Sequence, residues 1–390
     1  MKKRNKALKI ILLVCVLVLS NVFTFKFASI YGAISGNKIS KIKFLEDYVK
    51  NNYLYDVTDK ELEIGELKGV VAGLNDPYSE YFTKEEYEEL TKNISGKFYG
   101  IGVVISAQDG DLITVVSPIK DSPADRAGIK AGDKIVKVND KEYSSAQINE
   151  AMQVMRGNKG ESVKITVYRP SDSKTYDFNI KRDEVKAETI ISKDLNGIGY
   201  IGITQFSEDT AKDFKKALLN LEKENIKGLI IDLRGNPGGI VDTSAEIADE
   251  LLPEGVVVYA KNRDHKKVFE FKSDAKHTEL PLVVLINEGS ASASEILAGA
   301  IRDYNRGKIV GMKSFGKGIV QTAVRFPSGD GIKLTTSEYF SPKGINIHKK
   351  GIEPDIKVEL PKDIKGIGIE HLNEDTQLQK AIEILNNEIK

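Results

Sequence analysis

Apolar positions along this chain change period several times, and each change marks a different kind of unit. In residues 38–92, Ile42, Leu45, Tyr48 and Val49 recur at helical spacing, as do Leu62, Leu67, Val70 and Val71. LNDPYSEYF interrupts the pattern. TKEEYEELTKN then opens another helix, with Thr83 as cap and Glu86 at capping-box spacing. So few apolar residues require this region to pack on something else, as a contact with a second copy, a cradle for the next domain or a simple structural arm. Residues 96–181 read as a compact module. KFYGIGVVIS is a glycine turn into a strand, and SPADRAGIK a short helix with Ser122 as cap, Pro123 at its first position and Gly128 as stop. GDKIVKVND is a strand ending in a turn. SSAQINEAMQVMRG is a helix with Ile148, Met152 and Met155 on one face, and SVKITVYR alternates as a strand.

From residue 182 to about 365, strands alternate with helices. GIGYIGITQF reads as a strand with glycines, and KGLIIDL and PLVVLIN as buried strands. Helices follow in SEDTAKDFKKALLNLEKENI, IVDTSAEIADELLP and SEILAGAIRDY. This order argues for an α/β core. GIKLTTSEYFSP adds a strand and GIEPDIKVEL an extended segment. Residues 366–390 form a tail with the short amphipathic helix TQLQKAIEILNNEI.

The first 30 residues stand apart. A basic start (Lys2, Lys3, Arg4, Lys6, Lys9) precedes an apolar run from Ile10 to Leu19, which continues more weakly through Val22, Phe23, Phe25 and Phe27. That is the pattern of an export signal. The two runs together reach the roughly 17–25 residues of a membrane helix, and no small-x-small cleavage site follows. The expectation is a retained signal anchor, with a cleaved and secreted form as the alternative. The basic flank places the remainder outside the cytoplasm. Cys15 sits within the run after Val14, which argues against lipid modification.

Composition removes several classes. Lys plus Arg equals Asp plus Glu at 57 each, Trp is absent and the Tyr residues are scattered, so no nucleic-acid partner is expected. A single Cys excludes a disulfide framework within one chain. The four histidines, His265, His277, His348 and His371, show no metal-ligand spacing and read as surface residues. Neither a metal nor another cofactor is expected.

Candidate chemistry concentrates between Pro281 and Gln321. A serine where a buried strand turns into a helix N-terminus stands beside N–H groups that no helical bond uses. Those donors suit a developing oxyanion. Ser290, Ser292 and Ser294 all fit this description, and the residues alone do not choose among them. In SFGKGIVQ, Lys317 lies between Gly316 and Gly318. A serine elbow followed by a glycine-framed lysine suggests a serine hydrolase whose base is lysine. RGNPGG after LIIDL supplies glycines for close backbone approach. It lacks the Lys and Ser/Thr pair of a phosphate loop. Arg156, ending the Met152 helix, is a candidate for coupling the module to the site.

Two resemblances sharpen this. The module resembles a PDZ domain, most specifically in SPADRAGIKAGDKI. The resemblance implies that Tyr99, Gly100, Ile101 and Gly102 capture a peptide's C-terminal carboxylate while the peptide adds as a strand. NEGSASASEILAGAIRDY with SFGKGIVQ resembles the carboxyl-terminal processing peptidases, or tail-specific proteases, from DPYSEYF to GIEPD. That family implies an α/β multidomain protein. Its serine protease core is crotonase- and ClpP-like, with an inserted PDZ domain and a helical N-terminal region. It also implies Ser292 as nucleophile, Lys317 as base, Gln321 as the assisting residue, and protein substrates with flexible C-terminal tails. With Ser292 chosen, the N–H of Ala293 and that of Gly238 or Gly239 are the expected oxyanion donors. Four residues of straight strand would set Gln321 about 13 Å from Lys317. The pair therefore demands a tight or helical turn between them. The competing readings are a non-catalytic PDZ scaffold on a degenerate hydrolase core and a crotonase-like acyl-transfer enzyme.

Overall fold

The computed structural model describes residues 20–21, 37–95, 97–107, 112–186 and 188–389. Most of residues 1–30, including Cys15, lies outside them, and so does the expected anchor. Among the described residues no helix is long and apolar enough to cross a membrane.

The chain divides into two compact units, Met1–Tyr81 and Phe82–Lys390. The first contains helices α1 (Lys38–Asn52) and α2 (Asp59–Ala72). Both start at side-chain caps: the Asn37 carboxamide accepts the Ser40 N–H, and Thr58 with Glu61 forms a capping box. Neither helix finds a core. α1 buries no residue and α2 only Val71.

The second unit begins one helix earlier than the 38–92 pattern implies. α3 (Lys84–Ser95) is capped by Thr83 and Glu86 as expected. Phe82 and Tyr87, packed edge to face just before and within it, are both buried. The Lys333 ammonium lies over the Phe82 ring and the Arg325 guanidinium over Tyr87, which fixes these rings to the later part of the chain.

The module that follows contains β1 (Lys97–Gly100), β2 (Val103–Ser106), β3 (Ile113–Pro118), α4 (Pro123–Ala127), β4 (Lys134–Val138), β5 (Lys141–Glu142), α5 (Ile148–Met155), β6 (Ser162–Arg169), β7 (Lys174–Lys181) and β8 (Asp183–Lys186). Its main sheet runs β2-β3-β4-β6-β7, while β1 and β8 pair separately at its entry and exit. The α4 signals are realised: the Ser122 hydroxyl accepts the Asp125 N–H, and Gly128 closes the helix in the left-handed region.

The core then adds β9 (Ile190–Asp194), β10 (Ile198–Ile203), α6 (Thr210–Lys223), β11 (Gly228–Asp232), α7 (Val241–Asp249), β12 (Gly255–Asn262), β13 (Lys267–Ser273), β14 (Leu282–Ile286), α8 (Ala293–Asp303), β15 (Lys308–Gly311), β16 (Ile319–Arg325), β17 (Gly331–Phe340), β18 (Ile356–Lys357) and α9 (Thr376–Glu388). One sheet runs β9-β10-β11-β14-β15-β18, parallel except at β9. β11 and β14 are buried along their whole length, which is why they read as continuous apolar runs. A second, antiparallel set runs β16-β17-β12-β13. The β12–β13 hairpin was not anticipated, because charged residues in Lys261–Lys267 mask its alternation.

Three histidines correct the surface reading. His265 is exposed, whereas His277, His348 and His371 are half-buried, and His348 Nδ1 is buried with no hydrogen-bond partner among the described residues.

Candidate active site

β14 ends between β11 and β15, and its C-terminal edge delivers the chain to Ser292, the N-cap of α8. Ser292 has φ 55° and ψ −113°. A serine in that region costs about 1–3 kcal/mol and persists only where its surroundings over-determine it. They do so here. Every residue of α8 except Arg302 is buried. The Ser290 hydroxyl donates to Leu233 O at 2.8 Å and accepts the Asn287 N–H at 2.9 Å. The Ser294 hydroxyl donates to Asn236 O at 2.9 Å, beside a 3.0 Å bond from the Ala291 N–H to the same oxygen. The two flanking serines are fully buried and latch the elbow to the loop after β11, while Ser292 alone is partly exposed.

That loop is RGNPGG. The Gly238 N–H donates to Asn236 Oδ1 at 2.8 Å, and Asn236 Nδ2 donates to Ile203 O at 2.8 Å. A Cβ on Gly238 would fall 2.8 Å from Ser292 Cβ and 2.9 Å from the Ala293 nitrogen. Only glycine lets this backbone reach the elbow so closely. The Gly238 N–H is thus committed, whereas the N–H groups of Gly239 and Ala293 have no acceptor among the described residues.

Arg234 begins the same loop, fully buried. Its guanidinium donates to both Asp232 oxygens, both Asp375 oxygens and Gln377 Oε1. Tyr200 donates its hydroxyl to Asp232 at 2.9 Å. Burial, helped by the Asp232 charge, pushes the Tyr200 phenol far above its ordinary value, so it remains a donor. Burial opposes the Asp375 carboxylate. The Arg234 hydrogen bond and charge, with the Gly368 and Leu378 N–H groups, outweigh that and hold its pKa below the usual range. α9 therefore anchors the loop beside Ser292.

Glu295 joins the elbow to the lysine segment. It is 2 % exposed and lies three residues after Ser292. Its Oε2 accepts the Ser292 N–H at 2.9 Å and the Lys317 N–H at 2.8 Å. Its Oε1 accepts the Gly316 N–H at 2.7 Å and the Ser314 hydroxyl at 2.5 Å. One oxygen atom thus brings the main chains of Ser292 and Lys317 together. Its mark in the sequence is the capping-box spacing Ser-x-x-Glu from Ser292 to Glu295.

Lys317 is half-buried. Its flanking glycines are required by contact with residues 346–351: a Cβ on Gly316 would fall 2.9 Å from Gly351 N, and one on Gly318 2.5 Å from His348 N. The tight or helical turn expected between Lys317 and Gln321 is not formed. Residues 313–318 are irregular, β16 starts at Ile319, and a bulge falls between Val320 and Gln321. Gln321 Nε2 donates to Thr335 Oγ1 at 3.3 Å across the strand pair. Pairing with β17 satisfies the backbone of this segment better than an isolated turn would.

In the module, a cavity of about 80 Å³ lies between Gly100–Val103 with Ile105 on one side and Met152, Met155 and Arg156 on the other. It contains three of the four expected carboxylate-loop residues. Tyr99, the fourth, is half-buried in β1 beside it.

Comparison with known proteins gives a consistent picture. The Peptidase family S41 profile matches residues 197–358, the PDZ domain profile residues 114–169, and the profile described as the activating protease CtpB N-terminal domain residues 26–86. The carboxy-terminal processing protease CtpA of Bacillus subtilis is 39% identical over 370 residues, covering 93% of this chain and 78% of that protein. CtpB of the same organism is 40% identical over 330 residues, covering 83% and 68%. Among solved structures, the photosystem II D1 C-terminal processing protease aligns with a TM-score of 0.50 at 26% identity, covering 83% of this chain and 89% of that one. A putative S41 protease from Bacteroides fragilis shares the fold, with a TM-score of 0.53 at 16% identity and coverage of 88% and 97%.

Proposed function

The chain belongs to the carboxy-terminal processing proteases, serine-type peptidases of family S41 with a PDZ domain, and from that premise we propose that Ser292 and Lys317 are its catalytic dyad. Ser292 Oγ attacks the scissile carbonyl while Lys317, as the neutral amine, takes the hydroxyl proton. The tetrahedral oxyanion is held by the N–H groups of Ala293 and Gly239, Gly238 being committed to Asn236. Lys317 then returns the proton to the leaving amine. A water, deprotonated by the same lysine, releases the acyl group from Ser292. Gln321 assists Lys317 from β16.

The observation that carries this reading is the single Glu295 oxygen bound to both Ser292 N and Lys317 N. It is reinforced by the engagement of Ser290 and Ser294 elsewhere. In the same reading the groove at Gly100–Val103 takes the C-terminal carboxylate of a flexible protein tail, with Met152 and Met155 against its last side chain and Arg156 at the rim. The substrates are exported proteins met outside the cytoplasm, the enzyme being tethered by its first 30 residues. The exposed apolar faces of α1 and α2, with Leu45, Tyr48 and Val70, pair with a second copy.

The test is cleavage of a purified protein bearing an unstructured C-terminal tail. Ser292→Ala and Lys317→Ala should each reduce cleavage by about 10³-fold or more while tail binding stays unchanged. Cleavage that survives Ser292→Ala rejects the dyad.

A further inference from the structure

Glu295 gathers N–H groups on one side of the Ser292–Lys317 junction, and a single phenol stands on the other side among the carbonyls. Tyr339, near the end of β17, is 3 % exposed. Its hydroxyl lies 2.6 Å from Lys317 O and 3.1 Å from Ser292 O. One hydroxyl hydrogen serves both acceptors, with the shorter contact taking the stronger share. The rest of the residue is fixed independently of that hydroxyl. Its N–H donates to Gly318 O at 3.1 Å, and Asn346 Nδ2 donates to Tyr339 O at 3.0 Å and to Gly318 O at 3.2 Å. The ring therefore keeps its position whether or not its oxygen is present.

We propose that Tyr339 is a positioning residue, whose phenol sets the separation of the Ser292 and Lys317 main chains and so the reach of the lysine amine to the serine hydroxyl. This rests on the dyad reading above. The Glu295 bonds to Gly316 and Lys317 and the 3.0 Å bond from the Phe315 N–H to Ser290 O all engage N–H groups of the lysine segment, and by themselves would leave it free to rotate about that side. A second tie, on the opposite atoms of the same two residues, removes that freedom. Burial and the neighbouring Glu295 charge hold the Tyr339 phenol well above its ordinary pKa, so it donates throughout the working range and takes no proton from substrate. Its contribution is geometric, and geometry of this kind is worth a large factor in rate when reacting groups are displaced by about 1 Å.

The experiment uses the full chain with Tyr339→Phe, which retains the ring and both backbone ties. The expected result is a kcat lower by about 10- to 100-fold with KM unchanged. The labelling rate of Ser292 by a fluorophosphonate should fall by the same factor, and the far-UV spectrum should match wild type. Placing 4-aminophenylalanine at position 339 restores a donor on the same ring and should recover most of the rate. Wild-type kcat in Tyr339→Phe overturns the proposal. So does a variant that fails to fold or loses activity only in proportion to its unfolded fraction, since the phenol would then be a packing requirement. Failure of the dyad itself is read separately: wild-type protein would not label at Ser292, or Ser292→Ala would still cleave.

Discussion

The two segments that meet at Glu295 are held in different ways. On the serine side, β14 and α8 are buried almost throughout, and the Ser290 and Ser294 hydroxyls bind the elbow to the loop after β11. A strained backbone at Ser292 is affordable there because so many contacts fix it. On the lysine side, residues 313–318 have no regular structure, and from Thr322 to Arg325 β16 is exposed. Its position comes from directed bonds: those to Glu295 and Tyr339, the 3.0 Å bond from the Phe315 N–H to Ser290 O, the exchange between Ser314 and Ile352, the Asn346 amide on Gly318 O, and the 2.8 Å bond from the Lys349 N–H to Gly316 O. The nucleophile is thus placed by the core and the base by polar ties, so the base side is where small substitutions should act on rate without unfolding the protein.

Glu295→Gln is the strongest way to break this arrangement. The carboxylate accepts from four donors, whereas a carboxamide turns one of its ends into a donor facing N–H or O–H groups. Activity should fall by about 10²-fold or more, because one end of the side chain no longer accepts and the joint tie of the elbow and the lysine segment is broken at that end. Buried donors left without acceptors should cost about 2 kcal/mol in a denaturant titration. Wild-type activity in this variant would mean that the lysine segment is located by something other than Glu295.

Asp375→Asn probes the support beneath the serine side. It removes one carboxylate from Arg234 while Asp232 remains, so the guanidinium is not left unpaired. The expected loss is about 2 kcal/mol of stability near neutral pH, with a smaller effect on kcat. Its pH dependence has a definite sign. A carboxyl whose folded pKa is depressed contributes stability above its unfolded value, near 3.9, and that contribution disappears as pH falls through the lower folded value. The gap between wild type and Asp375→Asn should therefore be full at pH 7 and close only below about pH 4. A gap that is constant with pH would show that the charge on Asp375 is not what holds the loop.

How much of this was legible beforehand follows the same division. β14 and α8 announced themselves, because a buried parallel strand and a helix rich in small residues leave apolar signatures. The three serines could not be separated by pattern. Their hydroxyls differ only in whether a carbonyl of a segment some 57 residues earlier lies within reach. The Arg234–Asp375 pairing joins residues 141 positions apart and has no local signature at all. The Gly316 and Gly318 frame around Lys317 was visible, yet its cause was not, since the close approach of residues 346–351 is a tertiary fact. Strand pairing with β17 likewise overrode the turn that a Lys317–Gln321 contact seemed to demand.

Gln321→Ala is the mildest of these tests and the one that most sharpens the comparison. In β16 the Gln321 amide spends a donor on the Thr335 hydroxyl, a long bond at 3.3 Å across the strand pair. The bulge at Val320 and Gln321 breaks the alternation that would otherwise fix which face the side chain takes. If Gln321 only orients Lys317 from this position, its removal should lower kcat about tenfold, or roughly 1.4 kcal/mol of barrier, with little change in KM or stability. A loss as large as that of Lys317→Ala would require the lysine segment to rearrange on peptide binding and draw Gln321 in. The base side would then be a mobile element, because Gln321 is engaged here with Thr335 across the strand pair.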